Sequence, residues 1–146
     1  MTKIADNETI KNLLPSDLGK KAFISNNFLY VDPEFVFDLC KELKNNSSTQ
    51  FNYLKSISAV DYIEYFEMVY HLDSLINNSS IVVKSKLYGR SKLSIKSLTS
   101  LWKGAELQER EIWDLMGIYF DDHPNMKRIL LWEGFEGHPL RKDFIK

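Results

Sequence analysis

Apolar positions along this chain change their spacing repeatedly, and each change marks an element. Ile10, Leu13 and Leu14 recur at helical spacing over residues 8–14 and stop at Pro15, which predicts a short helix. Ala22–Ile24 and Phe28–Val31 read as two strands around Asn26-Asn27, a tight-turn pair. Asp32-Pro33 then opens a second helix, with Asp as the cap and Pro at the first helical position. Phe35, Val36, Leu39, Cys40 and Leu43 form its apolar stripe, which carries the helix to about Lys44 before the loop Asn45-Asn46-Ser47-Ser48.

The spacing next shifts to a period of two. Three strand-like runs follow: Tyr53–Val60, Tyr65–Leu72 and Ile81–Leu87. In the second, Phe66, Met68, Tyr70 and Leu72 alternate with Tyr65, Glu67, Val69 and His71; in the third, Ile81, Val83, Ser85 and Leu87 alternate with Val82, Lys84 and Lys86. Such alternation predicts antiparallel strands with one wet face, joined here by Asn77-Asn78-Ser79-Ser80 as the turn. Helical spacing returns from Ser97 to Met116 as a short turn and a longer helix, with Ala105, Gln108, Ile112 and Leu115 on one face and Gly117 as its stop. Beyond it, Ile118-Tyr119-Phe120 and Ile129-Leu130-Leu131 are short apolar runs, and Gly134, Gly137 and Pro139 punctuate the rest. The order predicts an α+β fold: a mostly antiparallel sheet with helices packed on it and an extended C-terminal arm. Residues 1–117 form the α+β domain and residues 118–146 the terminal segment and docking arm.

Composition narrows the function classes. A chain of 146 residues with 44% apolar and 27% charged residues is one ordinary globular domain. A net charge of −1 gives no general affinity for nucleic acid. The one cysteine, Cys40, lies on an apolar stripe and reads as a small buried hydrophobe; alone it forms no internal disulfide, iron–sulfur ligand set or zinc site. No run approaches the ~20 apolar residues of a membrane span, and the polar N-terminus is unlike a secretory signal. Any work at a membrane therefore goes through partners.

Rare residues concentrate between Glu109 and Asp143, and four chemistries suggest themselves. His123 and His138, with Asp121, Asp122, Glu133 and Glu136 nearby, are the candidate metal ligands, but their spacing fits no zinc pattern. Glu109, Glu111 and Asp114 are candidate acid and base groups; on a helix, Arg110 and Asp114 stand four apart, so pairing of these charges competes with catalysis. Gly117, Gly134 and Gly137 are too scattered to cradle a nucleotide phosphate. Trp113, Tyr119, Phe120, Trp132 and Phe135 offer an aromatic surface suited to a core, an interface or a quinone pocket. His71 receives no role.

The cluster has a further reading. Glu109-Arg110-Glu111-x-x-Asp114-x-x-Gly117-Ile118, then Phe120-x-x-His123-Pro124, Lys127-Arg128-Ile129-Leu130 and Gly137-His138-Pro139-Leu140-Arg141-Lys142-Asp143-Phe144 closely resembles the signature of the 30 kDa subunit of respiratory complex I, the NADH:quinone oxidoreductase of bacteria. Ala59-Val60-Asp61-Tyr62, the strand Phe66 to Leu72, and Ser97 to Ala105 with Trp102 resemble upstream parts of that family, so the likeness covers roughly residues 53–144. The chain departs from it at Leu107, where an aromatic is usual, and it ends three residues after Asp143, where many members continue.

The resemblance implies a non-catalytic subunit of the peripheral arm of a proton-pumping NADH:quinone oxidoreductase in a respiratory electron-transport chain. Such a subunit binds no cofactor itself, while NADH, FMN, iron–sulfur clusters and quinone belong to the complex. Its partners are the subunits holding the terminal iron–sulfur cluster and the quinone site. It would lie peripherally on the cytoplasmic face of the inner membrane, or on the matrix or stromal side in an organelle. Catalytic, cofactor-binding and metal residues are then none. Glu109, Arg110, Glu111, Asp114, Gly117, His123, Pro124, Arg128, His138, Pro139, Arg141, Lys142 and Asp143 become structural and interface residues. The alternatives are the equivalent subunit of a membrane-bound hydrogenase or ferredoxin-dependent complex and, remotely, a free-standing metal-dependent hydrolase.

Overall fold

The structure, a computed structural model, describes residues 2–14 and 21–145. The elements are β1 (Lys3–Ile4), α1 (Asn7–Leu13), β2 (Ala22–Ser25), β3 (Phe28–Val31), a 3-10 turn at Pro33–Phe35, α2 (Val36–Asn45), β4 (Tyr53–Asp61), β5 (Tyr65–Ser74), β6 (Ser79–Tyr88), β7 (Ser94–Lys96), α3 (Ala105–Met116) and β8 (Tyr119–Asp121). The expected stop of α1 at Pro15 lies outside the described residues. The main sheet runs β2-β3-β6-β5-β4, with β1 beside β6. Its hairpin and meander pairs are antiparallel, whereas β3 and β1 each meet β6 in parallel. The fold is α+β with a mostly antiparallel sheet, as the periodicity predicts.

Local chemistry explains the element ends. Asn26 and Asn27 take φ of 51° and 64°, the paired left-handed geometry of a two-residue hairpin turn, and Ser25 faces Phe28 across it. Asp32 occupies the cap position before Pro33, yet its side chain makes no capping bond, and the first turn tightens to 3-10 before α2 begins. Ser79 and Ser80 belong to β6 rather than to the preceding turn, because Ser80 Oγ donates to Asp73 across the ladder at 2.6 Å.

One core joins the helices to one sheet face. Val36, Leu39, Cys40 and Leu43 of α2 meet Phe66, Met68, Tyr70 and Leu72 of β5, and Ile112 and Met116 of α3 close the same cluster together with Ile118 and Phe120. The Cys40 thiol is buried, which pushes its pKa up to about 12. The opposite sheet face is drier than alternation predicts. Glu67, Val69 and Val82 are buried there, because Lys84 spans Phe28 at 4.0 Å while bonding Glu67 at 3.2 Å, and Lys86 lies 4.7 Å over Tyr65. The methylene stems of these lysines cover the apolar positions between them. Among the described residues no helix is long and apolar enough to cross a membrane.

Candidate functional site

α3 stops at Gly117, whose φ of 76° is the left-handed conformation that glycine adopts freely, and its N–H closes on the Trp113 carbonyl at 2.9 Å. A Cβ there would stand 2.5 Å from His138 Cδ2. The position is thus glycine for contact as well as for backbone.

A helix C-terminus leaves its last carbonyls unpaired and carries a partial negative charge. The residues after Gly117 supply the missing donors in order. The Asp114 carbonyl accepts from Arg128 at 3.1 Å and from His138 Nδ1 at 3.0 Å. The Leu115 carbonyl accepts the Leu140 N–H at 3.0 Å, and the Met116 carbonyl accepts Arg141 Nε at 2.6 Å. A carbonyl only accepts, so His138 carries its hydrogen on Nδ1; burial lowers the pKa of this ring, with Arg128 and Arg141 adding to the effect.

The Asp114 side chain is the hub of this cap. Its Oδ2 accepts the N–H groups of Ile129, Leu130 and Leu131 at 3.1, 2.7 and 2.9 Å, and its Oδ1 accepts Arg128 at 2.8 Å. Burial pushes the carboxyl up, but those four donors prevail and hold it at about 2. Arg128 continues to the carbonyls of Phe135 and Gly137 at 2.7 and 3.0 Å. Residues 129–137 are therefore folded around a single ion pair. The segment coils through close turns at Trp132–Phe135, His138–Arg141 and Arg141–Phe144, which differs from the extended course expected of it. Among the described residues it contains no helix or strand beyond β8.

A second cluster lies at the end of β4. Asp61 takes both terminal nitrogens of Arg90 at 2.6 and 2.9 Å and also accepts the N–H groups of Ile63 and Lys142 at 2.7 and 2.9 Å. Arg90 in turn reaches Asp143 at 2.8 Å. The Arg90 hydrogen bond holds the Asp61 carboxyl well below the usual range despite burial. Arg90 and Arg141 both stack near the Phe66 ring, at 4.6 and 5.2 Å, and Arg141 donates to the Arg90 carbonyl at 2.7 Å. The two clusters are thereby one network.

Glu109 stands apart from both. Fully enclosed, it accepts Ser97 Oγ at 2.6 Å and the Leu98 N–H at 2.7 Å. His123 Nε2 lies 3.9 Å away and donates to the Glu106 carbonyl at 3.0 Å, while its Nδ1 accepts the Asn125 N–H. Burial raises the Glu109 carboxyl to about 7, against the two hydrogen bonds. The folded protein then holds this proton more tightly than the unfolded chain, so stability falls as pH rises from about 4.5 to about 7. Glu109→Gln keeps an acceptor for Leu98 and a group to bond Ser97, but has no charge to bury. In urea titrations, the variant is expected to gain about 3 kcal/mol relative to the parent between the acid and alkaline ends of that window. Parallel pH profiles for the two proteins would refute the assignment.

The remaining signature residues divide. Arg110 does not pair with Asp114 across the helix turn; it donates to the Lys127 and Arg128 carbonyls at 3.1 and 2.9 Å, and Arg128 takes the place expected for it. Glu111 is exposed beside a groove with Leu115 and Leu140. Pro124 is exposed in its turn, Pro139 is half-buried, and Lys142 contributes its backbone N–H, not its ammonium, to Asp61. His123 and His138 bond carbonyls eight positions apart on α3 and do not converge. Among the described residues, no three of His, Cys, Asp and Glu are placed to hold a metal. Spacing alone missed Arg90, whose partners lie 29 and 53 positions away; only the Asp ending a strand at 61 hinted at a buried cation.

Known proteins resemble this chain in sequence and in fold. The family described as "Respiratory-chain NADH dehydrogenase, 30 Kd subunit" matches residues 29–146. An NADH-quinone oxidoreductase subunit of Roseiflexus sp. (strain RS-1) is 41% identical over 140 residues, covering 93% of this chain and 80% of that protein. An NADH-quinone oxidoreductase subunit of Rhizobium etli (strain CIAT 652) is 44% identical over 117 residues, covering 78% of this chain and 62% of its own length. Among solved structures, a chain of the membrane-bound sulfane sulfur reductase, an archaeal respiratory membrane complex, shares the fold at a TM-score of 0.77, with 24% identity and 94% and 84% coverage of the two chains. By these matches the chain belongs to the respiratory-chain NADH dehydrogenase 30 Kd subunit family, among the subunits of NADH-quinone oxidoreductase, or complex I.

Proposed function

We propose that this chain is a non-catalytic subunit of the peripheral arm of a proton-pumping NADH:quinone oxidoreductase, and that it fixes the geometry of the subunits holding the terminal iron–sulfur cluster and the quinone site. The observation that carries this reading is the use to which the signature charges are put. Asp114, Arg128 and Arg141 of the signature, joined by Asp61 and Arg90 from outside it, are occupied by one another and by main-chain groups, which leaves them holding a surface rather than meeting a substrate. NADH, FMN, the clusters and the quinone then belong to partner subunits. Cys40 suits none of them as a ligand, since its thiol is buried and its thiolate suppressed. The chain would sit peripherally on the cytoplasmic, matrix or stromal side of the membrane, attached through its partners.

The surface so held is residues 118–146, the docking arm. Leu130 is 62% exposed and Trp132 68% exposed, and Leu140 and Ile145 further along the segment are exposed as well. Several exposed apolar residues on one segment fixed by buried ion pairs fit an interface better than a free surface. The test is the pair Leu130→Asp and Trp132→Ser, changes to outward side chains. The purified chain is expected to keep its helix and strand content by circular dichroism, while assembled complex falls to about a tenth or less of the parent. Normal assembly with both substitutions would overturn the docking role. Normal assembly with lost quinone reduction would assign the segment to chemistry instead.

A further inference from the structure

Between residues 90–94 and the C-terminal segment lies an open cleft of about 530 Å³, walled by Arg90, Lys92, Trp113, Tyr119, His138 and Arg141. Among the described residues no Asp or Glu lines it. Its cations are not equally satisfied. Arg90 is neutralised by Asp61 and Asp143. Among the described residues Arg141 donates only to the carbonyls of Met116, Arg90 and Gly117, the last at a long 3.4 Å. Lys92, held at a φ of 51°, makes no hydrogen bond or ion pair among the described residues. Burial and the neighbouring Arg90 both work against the Arg141 charge, while Asp143 and Asp61, which favour it, are engaged by Arg90.

Among the described residues the cleft thus holds a half-buried guanidinium without a carboxylate partner and an exposed lysine ammonium, a site of positive potential suited to an anion. The walls point to the kind of anion. Among the described residues that line the cleft Gly117 is the one glycine, so no glycine-rich turn of the kind that cradles a phosphate forms its wall. Instead Trp113 meets Tyr119 edge-on at 5.5 Å and His138 at 5.1 Å, a ring wall against which a side chain can lie. We propose that this cleft receives an aspartate or glutamate side chain of a neighbouring subunit, paired with Arg141 and Lys92 and seated against Trp113 and Tyr119. The inference rests on the reading of the chain as a complex subunit and adds to it the chemistry of one contact. Such a pair would set register more than affinity.

The experiment is zero-length carbodiimide cross-linking of the intact complex from native membranes, with peptide mass spectrometry, alongside acetylation of its lysines. An amide between Lys92 and an acidic residue of another subunit is expected, as is acetylation of Lys92 at least ten-fold slower than that of exposed Lys103. Lys92→Ala should abolish the cross-link and leave the others. Acetylation of Lys92 as fast as Lys103 with no intersubunit product overturns the proposal, and so does a product confined to carboxylates of its own chain; both leave the subunit reading intact. Recovery of the chain without any partner subunit overturns both.

Discussion

Asp114→Ala should destabilise the chain by about 3–5 kcal/mol, the range for removing one partner of a buried ion pair. Three backbone N–H groups and Arg128 converge on this carboxylate. Its loss leaves three part-buried main-chain donors without their acceptor, each at about 1–3 kcal/mol where water does not replace it. Arg128 would retain the carbonyls of Asp114, Phe135 and Gly137 but no counter-charge. The pH dependence has a defined sign. The folded carboxyl, at about 2, lies below its ordinary value of 3.8, so its contribution is complete above that value and lost as pH falls toward 2. Urea titrations across that acid range should show the parent losing stability steeply and Asp114→Ala losing less. A variant within about 0.5 kcal/mol of the parent, the range of ordinary surface changes, would mean that the hub does not organise the segment.

Asp61→Ala is the second large effect, about 3 kcal/mol or more by the same reasoning. It removes the carboxylate beneath Arg90 and the acceptor for Lys142. It also frees Ile63, a β-branched residue held at a φ of 72° whose N–H bonds Asp61 Oδ1; such a conformation persists only while its surroundings enforce it. The effect should be regional as well as global. Trypsin cleavage after Arg141 and Lys142 is expected to accelerate well before cleavage at Lys41 or Lys44 in α2, because the tether at Lys142 is gone. Uniform acceleration at all sites would point to global destabilisation alone and would count against a local clamp.

Much of the scaffold was legible because its determinants are local. Asn26-Asn27 encodes its own hairpin geometry, and Gly117 encodes the end of α3. Residue spacing brought out α2 and β4–β6 because each has a buried face with its own period. What failed to show was long-range. Nothing near Phe28 says that it will lie parallel to Val82, and the two-residue Lys3-Ile4 becomes a strand because β6 offers it a partner. Ser79 and Ser80 look like turn residues until Asp73 and Ser74 stand across from them. The candidate site divides the same way. The Glu109–Asp143 cluster announced itself by residue type and order. Which charge met which did not: helical spacing suggested Arg110 for Asp114, but the arginine that arrives is Arg128 from beyond the helix end, where main-chain carbonyls reward a cation.

The central claim, that this chain acts as an assembled subunit, is tested most directly by isolating it from native membranes in mild detergent, followed by native-gel separation and mass spectrometry. The expected result is co-purification with the flavin-, cluster- and quinone-site subunits and NADH-dependent quinone reduction by the isolated assembly. A chain recovered alone, with no partner and no membrane association, would contradict it.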